Sequence, residues 1–127
     1  MLNRMKQPAR GEGLQAFKAE FFKALAHPTR IRILEILVRG ERSVYELQET
    51  LGLDQPLVSQ QLAVLRAKNI VSARKEGTAV RYAVRDALLR DLLDVARRIF
   101  DNQFTGAQSM MRELRREARR RPARAKP

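Results

Sequence analysis

The chain has 127 residues, with 26 Lys or Arg against 14 Asp or Glu, and its formal net charge of +12 is the footprint of a polyanion binder built on one small domain. With no cysteine and a single histidine, disulfides, thiolate metal sites and thiol redox chemistry are excluded and a zinc site lacks its usual ligands. No apolar run approaches the roughly 18 residues of a bilayer span, and the first residues lack the apolar stretch of a signal peptide, so the expectation is a cytoplasmic protein.

Residues 1–13 hold Pro8, Gly11 and Gly13 without hydrophobic period and read as a flexible N-terminal arm. From Leu14 the spacing of Leu14, Phe17, Phe21, Phe22 and Leu25 predicts a helix with a wide apolar stripe. His27-Pro28 breaks it, with His27 a capping or linking residue and Pro28 suited to the first position of the next helix. That second helix, about Pro28 to Arg39, is so rich in Ile and Leu that it belongs at the centre of the domain, with Arg30 and Arg32 on its polar side and Gly40 as its C-terminal cap.

Ser43-Val44-Tyr45-Glu46 is a capping box, and the short helix it opens ends at Gly52. Leu53 and Asp54 make a tight turn into DQPLVSQQLAVLR, Asp54 to Arg66. Helical spacing puts Val58, Leu62 and Leu65 on one apolar face of this stretch and Gln55, Ser59, Gln60 and Ala63 on the other. Such a short, amide-rich face suits base edges in a DNA major groove, because Gln offers a donor and an acceptor together and Ser bonds either kind of group. Two short helices joined by a Gly-containing turn form a helix-turn-helix.

After Asn69 the period changes from that of a helix to the alternation of strands. Ile70–Lys75 and Ala79–Val84 flank Glu76-Gly77-Thr78 and predict a two-stranded hairpin, a wing, whose Arg74, Lys75 and Arg81 can reach phosphates. Asp86 then caps a long helix on which Leu88, Leu89, Leu92, Leu93, Ala96, Ile99 and Phe100 cover two adjacent stripes. One stripe fits the domain. The other fits a second copy, so the expected dimer interface is Leu14, Phe17 and Phe21 with Leu88, Leu92, Leu93, Ala96, Ile99 and Phe100.

Beyond Gly106 an amphipathic pattern of Ala107, Met110, Met111, Leu114 and Ala118 is either one more helix of that interface or a segment that folds only on DNA. Residues 112–127 carry eight Lys or Arg against two Glu, so half the net charge lies in this tail. The organisation expected is an arm at 1–13, a winged-helix DNA-binding and dimerisation domain at 14–104, and a basic extension at 105–127, partly helical and then disordered.

Taken together, FKALAHPTRIRIL (22–34), SVYELQETLGLDQPLVSQQLAVLR (43–66) and the arginine-bearing hairpin from Val71 to Tyr82 resemble the ArsR/SmtB family of bacterial winged-helix repressors, over about residues 15–104. The resemblance implies a mainly α fold with a β-wing in the order α-α-α-α-β-β-α, with a further C-terminal helix allowed. It also implies a nucleoid-associated homodimer on a partly palindromic operator in double-stranded DNA, released by an effector. By position the reading residues are Gln55, Leu57, Ser59, Gln60 and Gln61, with wing Arg74 and Arg81. Where metal-sensing members hold a Cys-Val-Cys type motif this chain has Ser43-Val44-Tyr45, and its last helix carries Asp86, Asp91, Asp94 and Asp101 without His, so no metal and no cofactor are expected.

A sequence-specific repressor without metal or thiol sensing, its effector a small molecule or a protein, is therefore the expectation. A nucleoid-type architectural protein held by its arginine tail is the alternative, and a protein-interaction module using the long last helix is the third. Catalysis is not expected, since no nucleophile, paired histidine, Gly-rich phosphate loop or carboxylate pair in an apolar setting is visible.

Overall fold

The computed structural model describes residues 10–120. In chain order the elements are α1 (Arg10–Leu25), α2 (Pro28–Leu37), β1 (Arg42–Ser43), α3 (Val44–Leu51), α4 (Gln55–Ala67), β2 (Val71–Glu76), β3 (Ala79–Val84) and α5 (Leu88–Arg120). The chain divides into a first unit ending at Arg90 and a second beginning at Asp91.

In the first unit the apolar faces of four helices and the root of the hairpin meet. Ile33, Leu34 and Leu37 of α2, Leu47 of α3, Val58, Leu62 and Leu65 of α4, and Val71 of β2 are almost wholly removed from water, with Ala24, Leu25, Leu51, Ile70 and Leu89 at their margin. The three buried α2 residues sit at i, i+1 and i+4, and those of α4 at i, i+4 and i+7, which places each set on one side of its helix. This centre holds α4 by its inner face and leaves the other side open.

The helix ends follow local chemistry. His27 is the N-cap of α2, its Nδ1 accepting from the Thr29 N–H at 3.1 Å, with Pro28 next. The capping box of α3 is present in both directions: the Glu46 N–H donates to Ser43 Oγ at 3.1 Å and the Ser43 N–H donates to Glu46 Oε1 at 2.8 Å. That backbone donor, ahead of the charge of Arg81, holds the Glu46 carboxyl below the usual range. Gly52 closes α3 at φ +67°, a left-handed conformation that costs glycine nothing. At the end of α4, Asn69 takes φ +60°, the Ile70 N–H donates to the Leu65 carbonyl and the Asn69 N–H to that of Arg66. This is a Schellman ending with Asn in the glycine position, and the buried Leu65 and Ile70 are its apolar clasp. It stops the helix and turns the chain into the wing.

Several expectations are corrected. Residues 10–13, assigned to the arm, are the first turn of α1, and the rest of the arm lies outside the described residues, as do residues 121–127 of the basic extension. Helix α2 stops at Leu37 with Val38 as its C-cap, ahead of Gly40. The wing belongs to a three-stranded antiparallel sheet of order β1-β3-β2, in which Arg42 pairs with Tyr82 and Ser43 with Arg81. Two residues are too few to show an alternation, and these two are extended because Ser43 is the N-cap of α3.

In the hairpin, register runs from Val71 opposite Val84 to Glu76 opposite Ala79. The turn is therefore Gly77-Thr78, with Gly77 at φ +63°. Finally, Gly106 does not break the last helix. A glycine inside a helix costs only about 1 kcal/mol, and α5 runs through it as one helix of 33 residues, begun by the Asp86 carboxylate accepting from the Leu88 N–H at 2.9 Å.

Candidate nucleic-acid interface

The outer side of α4 carries Gln55, Gln60 and Ala63 exposed and Ser59 half-buried, and Gln55 Nε2 donates to Ser59 Oγ at 2.8 Å. Leu57 lies at the flank of this face, 38% exposed. The face contains hydroxyl, amide and methyl groups and no carboxylate. One cation joins it at the far end: Arg66 is exposed and follows Ser59 by seven residues, two turns along the same side. The apolar pattern drew attention to the inner face, and the spacing from Ser59 was the signal for Arg66.

Gln61 does not belong to this set. Its side chain is 8% exposed, and its Oε1 accepts from Arg30 Nη1 at 2.9 Å. Arg30 also donates from Nε to the Ala24 carbonyl at 2.6 Å. The guanidinium thus ties the end of α1, the start of α2 and the middle of α4 together, and the expectation that Arg30 lies on a solvated face is corrected too. Gln61 stands between Val58 and Leu65 on the buried stripe, so it faces inward by periodicity, and Arg30 supplies the partner that a buried amide needs.

Arg30→Ala is expected to cost about 1.5–3 kcal/mol of stability, since it removes a charged donor and leaves the Gln61 and Ala24 oxygens unpartnered. The fall in urea midpoint measures this, and an unchanged midpoint would show that the tie contributes nothing.

In the wing, Arg74 and Arg81 are directly opposite one another across β2 and β3. Two like charges in that position repel, and the structure places carboxylates between them. Glu41 Oε1 accepts from Arg74 Nη2 and from Arg81 Nε, the latter at 3.0 Å, while Glu76 lies 3.3 Å from Arg74 and Glu46 lies 3.5 Å from Arg81. The hydrogen bond from Arg74, followed by that from Arg81, holds the Glu41 carboxyl below the ordinary carboxylate range, and the same bond raises Arg74. Both arginines are thus engaged by the protein itself, Arg81 half-buried and Arg74 exposed. Lys75 is exposed, and among the described residues it has no ion pair.

On the first unit, α4 therefore presents an open polar face with Arg66 at its end, and the wing carries Lys75, Arg74 and Arg81. Of the residues expected at the second-copy interface, Leu14, Phe17, Leu88, Ile99 and Phe100 are exposed in the single chain, and Phe21, Leu92, Leu93 and Ala96 are half-buried. Among the described residues no cluster of His, Cys, Asp and Glu could hold a metal ion, and no helix is long and apolar enough to cross a membrane.

Comparison with known proteins bears on this geometry. Residues 27–73, from the N-cap of α2 into β2, match the family model described as bacterial regulatory protein, arsR family. An uncharacterised HTH-type transcriptional regulator of Mycobacterium tuberculosis is 45% identical over 105 residues, 82% of this chain and 92% of its own length. The chain belongs to the ArsR family. The crystal structure of that mycobacterial regulator superposes with a TM-score of 0.69 at 44% identity, covering 80% of this chain and 98% of the other. A solution structure of a homodimeric winged helix-turn-helix DNA-binding domain from Mycobacterium bovis gives a TM-score of 0.69 at 29% identity, covering 79% of this chain and 93% of that one. The biofilm growth-associated repressor of Xylella fastidiosa is 39% identical over 85 residues, 67% of this chain and 75% of its own length.

In this ArsR-family chain α3 and α4 are accordingly the helix-turn-helix and β2-β3 the wing. The family is one of transcriptional regulators.

Proposed function

We propose that the chain is a homodimeric, sequence-specific repressor that binds a partly palindromic operator in double-stranded DNA on the bacterial chromosome. The observation that carries this reading is the outer face of α4, on which Gln55, Ser59 and Gln60 stand free of carboxylates while the inner face is locked into the core. A rigid helix with amides outward is the geometry that direct readout requires. In this reading Leu57 contacts thymine methyls, and Lys75 and Arg66 meet phosphates. Arg74 and Arg81 exchange Glu41 for phosphate when DNA arrives.

The second copy is supported by the homodimeric Mycobacterium bovis relative and by the exposed Leu14, Phe17, Leu88, Ile99 and Phe100. Two chains related by a two-fold axis read an inverted repeat. The signal in this reading is neither a metal ion nor thiol oxidation, because the chain has no cysteine and its one imidazole is used to cap α2. A small molecule or a partner protein remains as the class of effector.

Selection of bound sequences from a random DNA pool is the test. An inverted repeat is expected to emerge with half-sites about one helical turn, or a multiple of it, apart. Enrichment of no motif would overturn the reading in favour of an architectural protein held by the arginine tail.

A further inference from the structure

Within the second unit, α5 continues as an unbroken helix to Arg120. Its residues Phe100, Phe104, Ala107, Met111, Leu114 and Ala118 follow one another at intervals of four, three, four, three and four. All are exposed, Phe100 and Phe104 at 63% and 65%, Met111 and Leu114 at 50% and 53%. This is the a/d repeat of a coiled-coil seam, a narrower stripe than one seated on a globular core. We infer that this seam is closed by the same segment of a second copy, running antiparallel.

Self-complementarity selects that occupant. In the antiparallel register Phe100 faces Ala118, Phe104 faces Leu114 and Ala107 faces Met111, so each end and the centre set a bulky side chain against a small one. The flanking positions agree with the core. Asp101 is brought beside Arg115, Gln103 beside Glu117, and Gln108 and Met110 each meet their own copies across the two-fold axis. Asp101 bonds only to Arg97 one turn back, at 3.2 Å, and Arg115 has no ion pair among the described residues.

A parallel pairing would instead set Met110 against Arg115 and give no ion pair between the flanks. The arginines at 112, 116, 119 and 120 lie off the seam and stay in water in either arrangement, so nucleic acid would engage a face other than the apolar one. The inference deepens the homodimer reading in needing a second copy, and it does not rest on what α4 reads.

The absence of cysteine from the chain makes engineered thiols a direct probe. Full-length chains carrying Phe100→Cys or Ala118→Cys are prepared separately, then mixed, allowed to exchange, and oxidised at low concentration. The mixture is expected to yield the mixed disulfide, and Ala118→Cys alone no disulfide dimer, because in the antiparallel register the two copies of residue 118 lie about 27 Å apart. A second pair, Phe104→Cys with Leu114→Cys, should behave in the same way.

Disulfide formation by Ala118→Cys with itself would overturn the antiparallel register, and the absence of a mixed disulfide from both pairs would overturn the seam. Neither result bears on the random-pool selection, whose failure would strike the DNA reading and leave the seam standing.

Discussion

Leu62→Ala is expected to lower the unfolding free energy by roughly 2–5 kcal/mol, the range for emptying a closed core site of a leucine side chain. Leu62 has no exposed surface and occupies the middle of α4. Loss of its side chain leaves a cavity beneath the helix, which packs against α2, α3 and β2. For a domain whose total stability is on the order of 5–15 kcal/mol, this is a large share, and urea denaturation followed by circular dichroism measures it directly. The effect extends to binding, since a helix that has lost its seat no longer holds its outer face at a fixed depth. A midpoint shift equivalent to less than about 1 kcal/mol would mean that the site collapses around the truncation.

Gln60→Ala, two residues away, is expected to do the reverse. The side chain is exposed, and among the described residues it has no hydrogen-bond partner. Its removal should leave stability within about 0.5 kcal/mol of the parent. On DNA, losing an amide that bonds a base edge should cost about 1–3 kcal/mol at one base pair of each half-site, and sequence preference at that pair should vanish. Gln61, its neighbour, predicts the contrary pattern of lost stability, because its amide is inside and bound to Arg30. Two adjacent residues of the same type thus separate reading from folding.

Much of this contrast was legible in the residue order. Val58, Gln61, Leu62 and Leu65 share one stripe of α4, and Arg30, Ile33, Leu34 and Leu37 share one stripe of α2, so the spacing alone turns Gln61 and Arg30 inward. Polarity argued for the surface in both cases, and the argument from spacing wins because each residue is the other's partner. The capping box at Ser43, the turn at Gly52 and the wing were visible because each depends on neighbours within a few residues.

Strand β1 was not visible, since its pairing with Tyr82 and Arg81 spans about half the first unit. Nor was the Glu41 link between Arg74 and Arg81, a contact between segments far apart in the chain whose charges each read locally as solvated. The break expected at Gly106 overstated one glycine against a long run of helix-favouring neighbours.

The measurement that tests the central claim most directly is the affinity of the parent chain and of Gln60→Ala for a set of operators in which each base pair is replaced in turn. If the outer face of α4 reads base edges, the parent loses about 1–3 kcal/mol at defined positions, and the variant becomes indifferent at one symmetric pair of those positions while matching the parent elsewhere. A variant that weakens equally on every operator, or that keeps the parent's preferences at every position, would contradict that reading of α4.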